Sequence, residues 1–142
     1  MILAQILRIK GSGVVCSSPS IRLREAAKAL AGNKVGALVV RGTDGGVDGL
    51  FSERDLVSAI AQCGGIALDA PVSSFVSGCF SAVRPDESVF RAMQMMTQRR
   101  VRHLPVINER ELVGVVSIGD LVKWRIAEAD ADVDAMRAYI QH

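Results

Sequence analysis

The chain has 142 residues, of which 49% are hydrophobic and only 4% aromatic. This length allows one domain with a sizeable core or two very small fused units, and the apolar fraction predicts a folded chain with a mostly aliphatic core. The net charge of +2 is too small to indicate a nucleic-acid partner, and no apolar run approaches the roughly 18 residues of a membrane-spanning helix. We therefore expect a protein that binds neither nucleic acid nor membrane, and three cysteines without a CxxC pair favour a reducing cytoplasm.

The first ten residues, MILAQILRIK, predict a short amphipathic helix that packs on the body of the protein. Ile2, Ile6 and Ile9 fall on one helical face, and Leu3 and Leu7 lie beside it. Basic residues at positions 8 and 10 interrupt the apolar run. The segment therefore lacks the long apolar region and the cleavage site of a signal peptide.

A first unit follows, with patterns that indicate strand, helix, strand, strand and helix in that order. The predicted strands cover 14–17, 35–40 and 47–51, the helix between the first two carries Leu23, Ala26, Ala27 and Leu30, and GTDGG (42–46) forms the hairpin turn. Ser52 begins the next helix, which Gly64 and Gly65 end.

A second unit repeats this order. The predicted strands cover 80–83, 103–107 and 112–116, the helix covers 87–99, and NERE (108–111) forms the turn. Pro105 has no N–H to donate, so we expect it at a sheet edge or at the start of its strand. A unit of roughly 60 residues is marginal by itself, so we expect the two units to pack face to face as a pseudo-symmetric pair, with a crevice for each copy.

One phrase occurs in both units, where the last strand meets the following helix. It reads VDGLFSERDLV at 47–57 and VGVVSIGDLV at 113–122, so Ser52 and Asp55 match Ser117 and Asp120. Serine with an acidic residue three positions later is typical of a helix capping box. The same geometry offers free amides and a positive helix end to an anion, and a short carboxylate can hold a ribose diol. The pattern leaves both interpretations open.

The two ordered copies, with RHLPVI at 102–107 before the second phrase, resemble the CBS (cystathionine β-synthase) domain family. The resemblance covers roughly residues 6–126 and is to one tandem pair of the stand-alone bacterial type. It implies an α+β fold of two β-α-β-β-α repeats packed as a pseudo-two-fold pair, with an N-terminal helix. The implied ranges are 1–66 for the N-terminal segment with repeat 1, 67–127 for repeat 2, and 128–142 for a helical tail.

The resemblance also implies clefts that bind an adenosine ligand, with AMP expected first and ATP, NAD or S-adenosylmethionine as alternatives. Asp55 and Asp120 would hold ribose hydroxyls, and Ser52 and Ser117 would contact ribose or phosphate. The base pocket would be lined by the strand that opens each copy, at Val14, Val15, Cys16, Ser81, Ala82 and Val83.

The two copies are unequal in charge beside the proposed clefts. The resemblance implies that Arg102 and His103 contact phosphate, whereas the first copy has the uncharged Gly36 and Ala37 at these positions. Arg54 would compensate if its side chain points into the cleft. We therefore expect the Asp120 site to bind nucleotide better than the Asp55 site.

The tail carries a heptad-like stripe that consists of Ile126, Val133, Met136 and Ile140. This stripe could cover a partner subunit or fold back onto its own domain, and the resemblance favours a homodimer.

Three cysteines without a CxxC pair and two histidines without an HExxH motif argue against a metal site, a disulfide framework or a nucleophilic centre. We predict a non-catalytic module without a catalytic cofactor, in which an adenine nucleotide reports energy or redox state to an unidentified regulated protein. The alternative is a ligand-free dimerising scaffold in which both Ser-x-x-Asp phrases are only helix caps.

Overall fold

The computed structural model describes residues 1–11, 13–76 and 80–141. Its helices are α1 (Leu3–Lys10), α2 (Leu23–Asn33), α3 (Glu53–Cys63), α4 (Val89–Arg99) and α5 (Ile118–Gln141). Its strands are β1 (Cys16–Ser17), β2 (Ala37–Arg41), β3 (Val47–Ser52), β4 (His103–Asn108) and β5 (Glu111–Ser117). Two short 3₁₀ segments, Gly64–Asp69 and Val72–Phe75, connect the first unit to the second.

The two units form separate small sheets with matching topology. In the first sheet, β1 runs parallel to β2 and β2 runs antiparallel to β3. In the second sheet, β4 and β5 are antiparallel, and Val83 joins β4 by a parallel bridge to Val106. The predicted α+β fold of two β-α-β-β-α repeats, with a helix at each end of the chain, is confirmed.

Pro105 explains why the opening strand of the second unit is reduced to one bridge. In the first unit, Val39 donates its N–H to the carbonyl of Val15, 2.9 Å away. Pro105 occupies the position of Val39, and its carbonyl accepts from Val83 across 3.0 Å. Because proline has no N–H, the hydrogen bond equivalent to the one from Val39 to Val15 cannot form in the second unit. Pro105 thus lies inside β4, which is an edge strand of the two-stranded β4–β5 sheet and is joined on its other side only by the bridge from Val83.

Each unit has its own aliphatic core, and each core includes a segment from outside the unit. The first core contains Leu23, Ala26, Leu30, Leu38, Val40, Phe51, Ala59, Ala67 and Val72. The second contains Leu3, Ile6, Leu7, Val83, Val89, Ala92, Met96, Leu104, Val106, Val116 and Leu121. Helix α1 therefore completes the core of the second unit, although it precedes the first unit in the chain. The sequence ranges of the repeats remain a prediction. Core residues from outside each unit pack across these boundaries: those of α1 in the second core, and Ala67 and Val72 in the first.

Matching hydrogen bonds fasten these two exchanged segments. Ala4 donates its N–H to the carbonyl of Pro85 at 2.8 Å, as Ser73 donates to Pro19 at 2.9 Å. Leu3 donates in the same way to Glu87, and Val72 donates to Ile21. The chain before each unit is thus tied to the opposite unit, which couples the two small cores.

Helix α1 buries a different face from the one that its isoleucines predict. Leu3, Ile6 and Leu7 are buried, whereas Ile9 is 64% exposed. A β-carbon added to Gly114 would lie 2.8 Å from Cδ2 of Leu7, so α1 rests directly on the backbone of β5. Lys10 follows Leu7 by three residues and Ile6 by four, which places it on the same face. This rotation of the helix directs Lys10 toward the end of β5.

Within the described ranges, no helix is both long enough and apolar enough to cross a membrane.

Candidate functional site

Ser52 and Asp55 form a complete capping box at the start of α3. The Ser52 N–H donates to Oδ2 of Asp55 at 2.8 Å, and the Asp55 N–H donates to Oγ of Ser52 at 3.2 Å. The Ser52 hydroxyl also donates to Oδ2 of Asp55 at 2.9 Å. The hydrogen bonds of this phrase are therefore those of a helix cap. The binding interpretation stays open, because the cap uses only one of the two carboxylate oxygens of Asp55, Oδ2.

Ser117 and Asp120 repeat this cap at the start of α5, but one of the hydrogen-bond donors to the carboxylate is a different group. The Ser117 N–H donates to Oδ2 of Asp120 at 2.9 Å, and the Asp120 N–H donates to Oγ of Ser117 at 3.1 Å. In place of the serine hydroxyl, the second donor to Oδ2 is the ammonium of Lys10, 2.6 Å away. The two caps match in backbone geometry and differ in charge.

Lys10 is a residue of this site that the sequence interpretation missed. Its Nζ donates to Asp120 and also to the carbonyl of Val115, 2.7 Å away. Burial of Asp120 by itself would raise its pKa, but the Lys10 ammonium and the Ser117 N–H outweigh burial and hold the pKa below its ordinary value. Asp120 is thus a carboxylate that remains ionised at neutral pH. The spacing of Lys10 from Leu3 and Leu7 was the signal available in the sequence.

His103 lies at the seam between the two units. It is the first residue of β4 and pairs in register with Ser117 of β5. A β-carbon added to Gly36 of the first unit would lie 3.0 Å from both Cε1 and Nε2 of the His103 ring. The same point lies 3.8 Å from Oε1 of Glu53. The imidazole therefore reaches across the seam to the backbone of the other repeat.

The environment of His103 keeps its ring neutral. Burial lowers its pKa from the ordinary 6.5, and the nearby Lys10 and Arg102 lower it further. The carboxylates of Asp120 and Glu53 oppose these effects without overcoming them. A neutral imidazole can donate one hydrogen bond and accept another, so His103 offers a phosphate one donor and no full charge.

The absence of a side chain at Gly36 has a structural reason. Gly36 and Arg102 occupy equivalent positions in the two units and accept equivalent hydrogen bonds. Glu53 donates its N–H to the Gly36 carbonyl at 3.0 Å, and Ile118 donates its N–H to the Arg102 carbonyl at 2.8 Å. Any side chain at position 36 would meet the ring of His103. The charge asymmetry of the repeats thus creates the space that this histidine occupies.

The two arginines predicted to meet phosphate are both exposed. Arg54 lies in the first turn of α3, and Arg102 lies directly before β4. Neither side chain makes an ion pair or hydrogen bond to another described residue. Both are therefore accessible cations near the capped carboxylates.

The predicted base-pocket residues differ in burial. Val14, Val15 and Ser81 are half-buried, and Cys16 and Ala82 are exposed. Val83 packs in the second core, and its N–H and C=O are both bonded to β4. Val83 therefore has its side chain and its backbone groups engaged within the fold.

Two surface cavities lie away from the capped carboxylates. One of about 430 Å³ is bordered by Phe90, Met93, Gln94, Thr97, Gln98 and Arg125, between α4 and α5. The other, of about 300 Å³, is bordered by Pro19, Val40, Val47, Asp48, Ser73 and Val76. Neither includes Asp55 or Asp120.

Metal-ligating residue types are scattered over the described ranges. No three His, Cys, Asp or Glu side chains there come together in a group that could hold a metal ion. The thiols of Cys16 and Cys63 are free and exposed. Cys79 and His142, the third cysteine and the second histidine of the chain, lie outside the described residues.

Comparison with known proteins assigns the family. The model of the CBS domain matches residues 9–62 and again residues 72–127. The chain therefore belongs to the CBS domain family and contains two such domains in tandem, as the repeated phrase indicated.

Relatives and solved structures agree with this assignment. The mitochondrial CBS domain-containing protein CBSX3 of Arabidopsis thaliana is 34% identical over 135 residues, which are 92% of this chain but only 65% of that protein. The CBS-domain containing protein ATU1752 from Agrobacterium tumefaciens has a TM-score of 0.85 and 39% identity, with 87% of this chain and 92% of that chain covered. The CBS domain protein PAE2072 from Pyrobaculum aerophilum, solved in complex with AMP, has a TM-score of 0.75 and 31% identity over 84% of this chain and 89% of that chain.

Proposed function

We propose that this CBS pair is a non-catalytic regulatory module that binds an adenine nucleotide at the Asp120 site. The observation that carries the proposal is the ionised Asp120 carboxylate at the start of α5, with Lys10 and His103 beside it at the seam of the repeats. AMP is the first candidate, supported by the AMP complex of the Pyrobaculum protein, and ATP and NAD are alternatives.

In this proposal, different side chains of the site contact the ribose, the phosphate and the base of the ligand. Asp120 accepts hydrogen bonds from the ribose diol, and Ser117 contacts ribose or phosphate. Arg102 supplies positive charge to the phosphate, and His103 supplies an N–H donor. The half-buried and exposed residues of the opening strands border the base: Val14, Val15, Cys16, Ser81 and Ala82.

The Asp55 site is proposed to be the weaker of the two. Its cap consumes the Ser52 hydroxyl as a donor to Asp55, and the position matching Arg102 is Gly36. Arg54 is the exposed cation of the first turn there. The Asp55 site thus has Arg54 alone, whereas the Asp120 site has Arg102 and the bound Lys10. We therefore expect the Asp55 site to attract a phosphate more weakly.

Binding at the seam suggests how a ligand could act on a partner protein. Gly36 and Glu53 belong to the first unit, and His103 and Asp120 belong to the second. A nucleotide that contacts both sides would favour one relative arrangement of the repeats, in proportion to its difference in affinity between arrangements. The module would in this way report energy or redox state to a regulated protein.

We also propose that a second copy of this chain covers α5. Val122, Ile126, Val133, Met136 and Ile140 are between 39% and 76% exposed, and Ala129 continues their alternating spacing of four and three. This spacing is the seam of a two-helix coiled coil, and a second identical helix presents the complementary seam. Most of α5 extends past its single buried residue, Leu121, so its own domain leaves the stripe open.

The scaffold alternative rests on the caps themselves. Both serines and both aspartates make the hydrogen bonds of a capping box. A ligand-free protein would need no further role for them.

The experiment that tests the proposed function is calorimetry with AMP, ATP, NAD and S-adenosylmethionine, on the wild type and on two matched variants. Asp120→Asn should weaken AMP binding by about tenfold or more, because the ribose loses a charged acceptor. Asp55→Asn removes the same charge from the equivalent cap and should have a smaller effect. Absence of binding to every ligand at about 1 mM, which corresponds to roughly −4 kcal/mol, would favour the scaffold.

A further inference from the structure

Lys10 is held as a fixed cation at the carboxylate that our proposed function assigns to ribose. Its ammonium donates to Oδ2 of Asp120 at 2.6 Å and to the carbonyl of Val115 at 2.7 Å. An ammonium has three donors, so one N–H remains for another acceptor. The side chain is 35% exposed, which leaves this group open to a ligand.

The position of Lys10 is determined by packing as well as by charge. It is the last residue of α1, and Leu7 of the same face rests against Gly114 on β5. A lysine on a mobile segment loses much side-chain entropy when it binds. Here the helix and the Val115 carbonyl restrict the ammonium before any ligand arrives.

Charge in the site suggests which ligands benefit from this lysine. Lys10 offsets the charge of Asp120, and Arg102 adds an exposed cation nearby. A ribose diol can still donate to Oδ1 of Asp120, which accepts no hydrogen bond from a described residue. Beyond the ribose, an anionic substituent would be attracted by the Lys10 ammonium and the Arg102 guanidinium, with the Glu53 carboxylate as the opposing charge. The charge of Lys10 itself therefore favours an anionic substituent over a cationic one.

The geometry points to Lys10 as the selectivity residue of the Asp120 site, favouring adenosine ligands that carry phosphate over uncharged adenosine and over the sulfonium of S-adenosylmethionine. This inference rests on the proposed function, and it assigns a ligand-binding role to a residue that precedes both repeated phrases. If Lys10 were only an anchor for α1, its removal would change stability and leave ligand preference as it was. If Lys10 only blocked the carboxylate, its removal would tighten binding of every ribose ligand.

The test measures affinities for AMP, adenosine and S-adenosylmethionine in the full-length protein and three variants. Lys10→Met keeps the aliphatic stem and removes the charge, Lys10→Arg keeps the charge, and Lys28→Met is the control on the exposed surface of α2. Lys10→Met should lower the ratio of AMP to adenosine affinity by about tenfold or more, since a charged hydrogen bond is lost. Lys10→Arg should retain most of the ratio, and Lys28→Met should leave it unchanged.

The outcomes separate this inference from the proposed function. Wild-type protein that binds none of these three ligands, and neither ATP nor NAD, overturns both. Wild-type protein that binds AMP, together with a Lys10→Met variant that keeps its preference or binds AMP more tightly, overturns the role of Lys10 alone. Thermal unfolding of each variant in the absence of ligand shows whether the comparison is between equally folded proteins.

Discussion

The ring of His103 packs so closely against Gly36 that a β-carbon at this position would be in tight contact with it. Its Cε1 and Nε2 both lie 3.0 Å from the position of an added β-carbon. The imidazole of the second repeat thus packs against a glycine of the first repeat, which has no side chain. This contact links the charge asymmetry of the repeats to the packing of their seam.

Gly36→Ala should destabilise the protein by about 1 kcal/mol, because the new methyl group is in tight contact with the His103 ring and forces a small shift of the ring or the backbone. The free energy of unfolding by urea measures this effect. His103→Ala in the same background should recover much of the loss, since it empties the site of the clash. Effects of the two substitutions that simply add would contradict the contact, because residues in contact show a coupling energy.

Stability should fall as the pH drops through the range in which His103 gains a proton. The folded-state pKa of His103 lies below its ordinary 6.5, so the unfolded chain binds this proton more readily. The associated stability is therefore present above pH 6.5 and is lost as the pH falls through the folded-state pKa. His103→Asn should flatten this part of the curve of unfolding free energy against pH. An unchanged slope in the variant would assign the titration to another group.

A second loss belongs to Asp120 at lower pH. Its folded-state pKa is held below the ordinary 3.8, so its contribution is present above pH 3.8 and disappears as the pH falls further. Lys10→Met removes the ammonium that opposes protonation, so it should move this acid transition to higher pH. Unfolding in the two proteins between about pH 2 and about pH 5 checks the shift.

The β4–β5 hairpin should gain stability from a change of its turn. Glu109 and Arg110 have φ values of 50° and 73°, a left-handed conformation that Asn and Gly adopt more readily. Replacing the pair by Asn-Gly should stabilise the protein by about 1 kcal/mol. Gly45→Ala is the opposite test in the first hairpin, because Gly45 has φ of 83° and open space around it. It should cost a similar amount, and a neutral result in both hairpins would contradict the backbone argument.

Dimerisation should depend on the exposed stripe of α5. Met136 is 65% exposed in the stripe, and Met136→Glu should convert a dimer to a monomer in sedimentation, because it places a charge in the helix seam. Ala138→Glu adds the same charge away from the stripe and should leave the dimer intact. A wild-type monomer, or equal effects of both variants, would show that a second copy does not cover this face.

Much of the fold could be predicted because its determinants are local. Strand, helix and turn patterns recur in order, and each Ser-x-x-Asp phrase makes the cap that its spacing predicts. The position of Pro105 in its sheet was more difficult to predict. The missing N–H shows that one hydrogen bond between strands is absent, but it does not show which neighbouring strand lacks that bond. The buried face of α1 was predicted wrongly, because Ile9 and Leu7 are equally apolar and only packing on Gly114 selects between them.

The sequence by itself determined two copies of one unit and two capped carboxylates, since both depend on spacings of a few residues. Only the tertiary structure decided that Lys10 meets Asp120, 110 positions away, and that His103 meets Gly36 across the repeats. Such contacts depend on how helices and sheets are rotated and seated, and local patterns do not specify those angles. The difference between the two sites therefore follows from packing, although the residues that create it were visible in the chain.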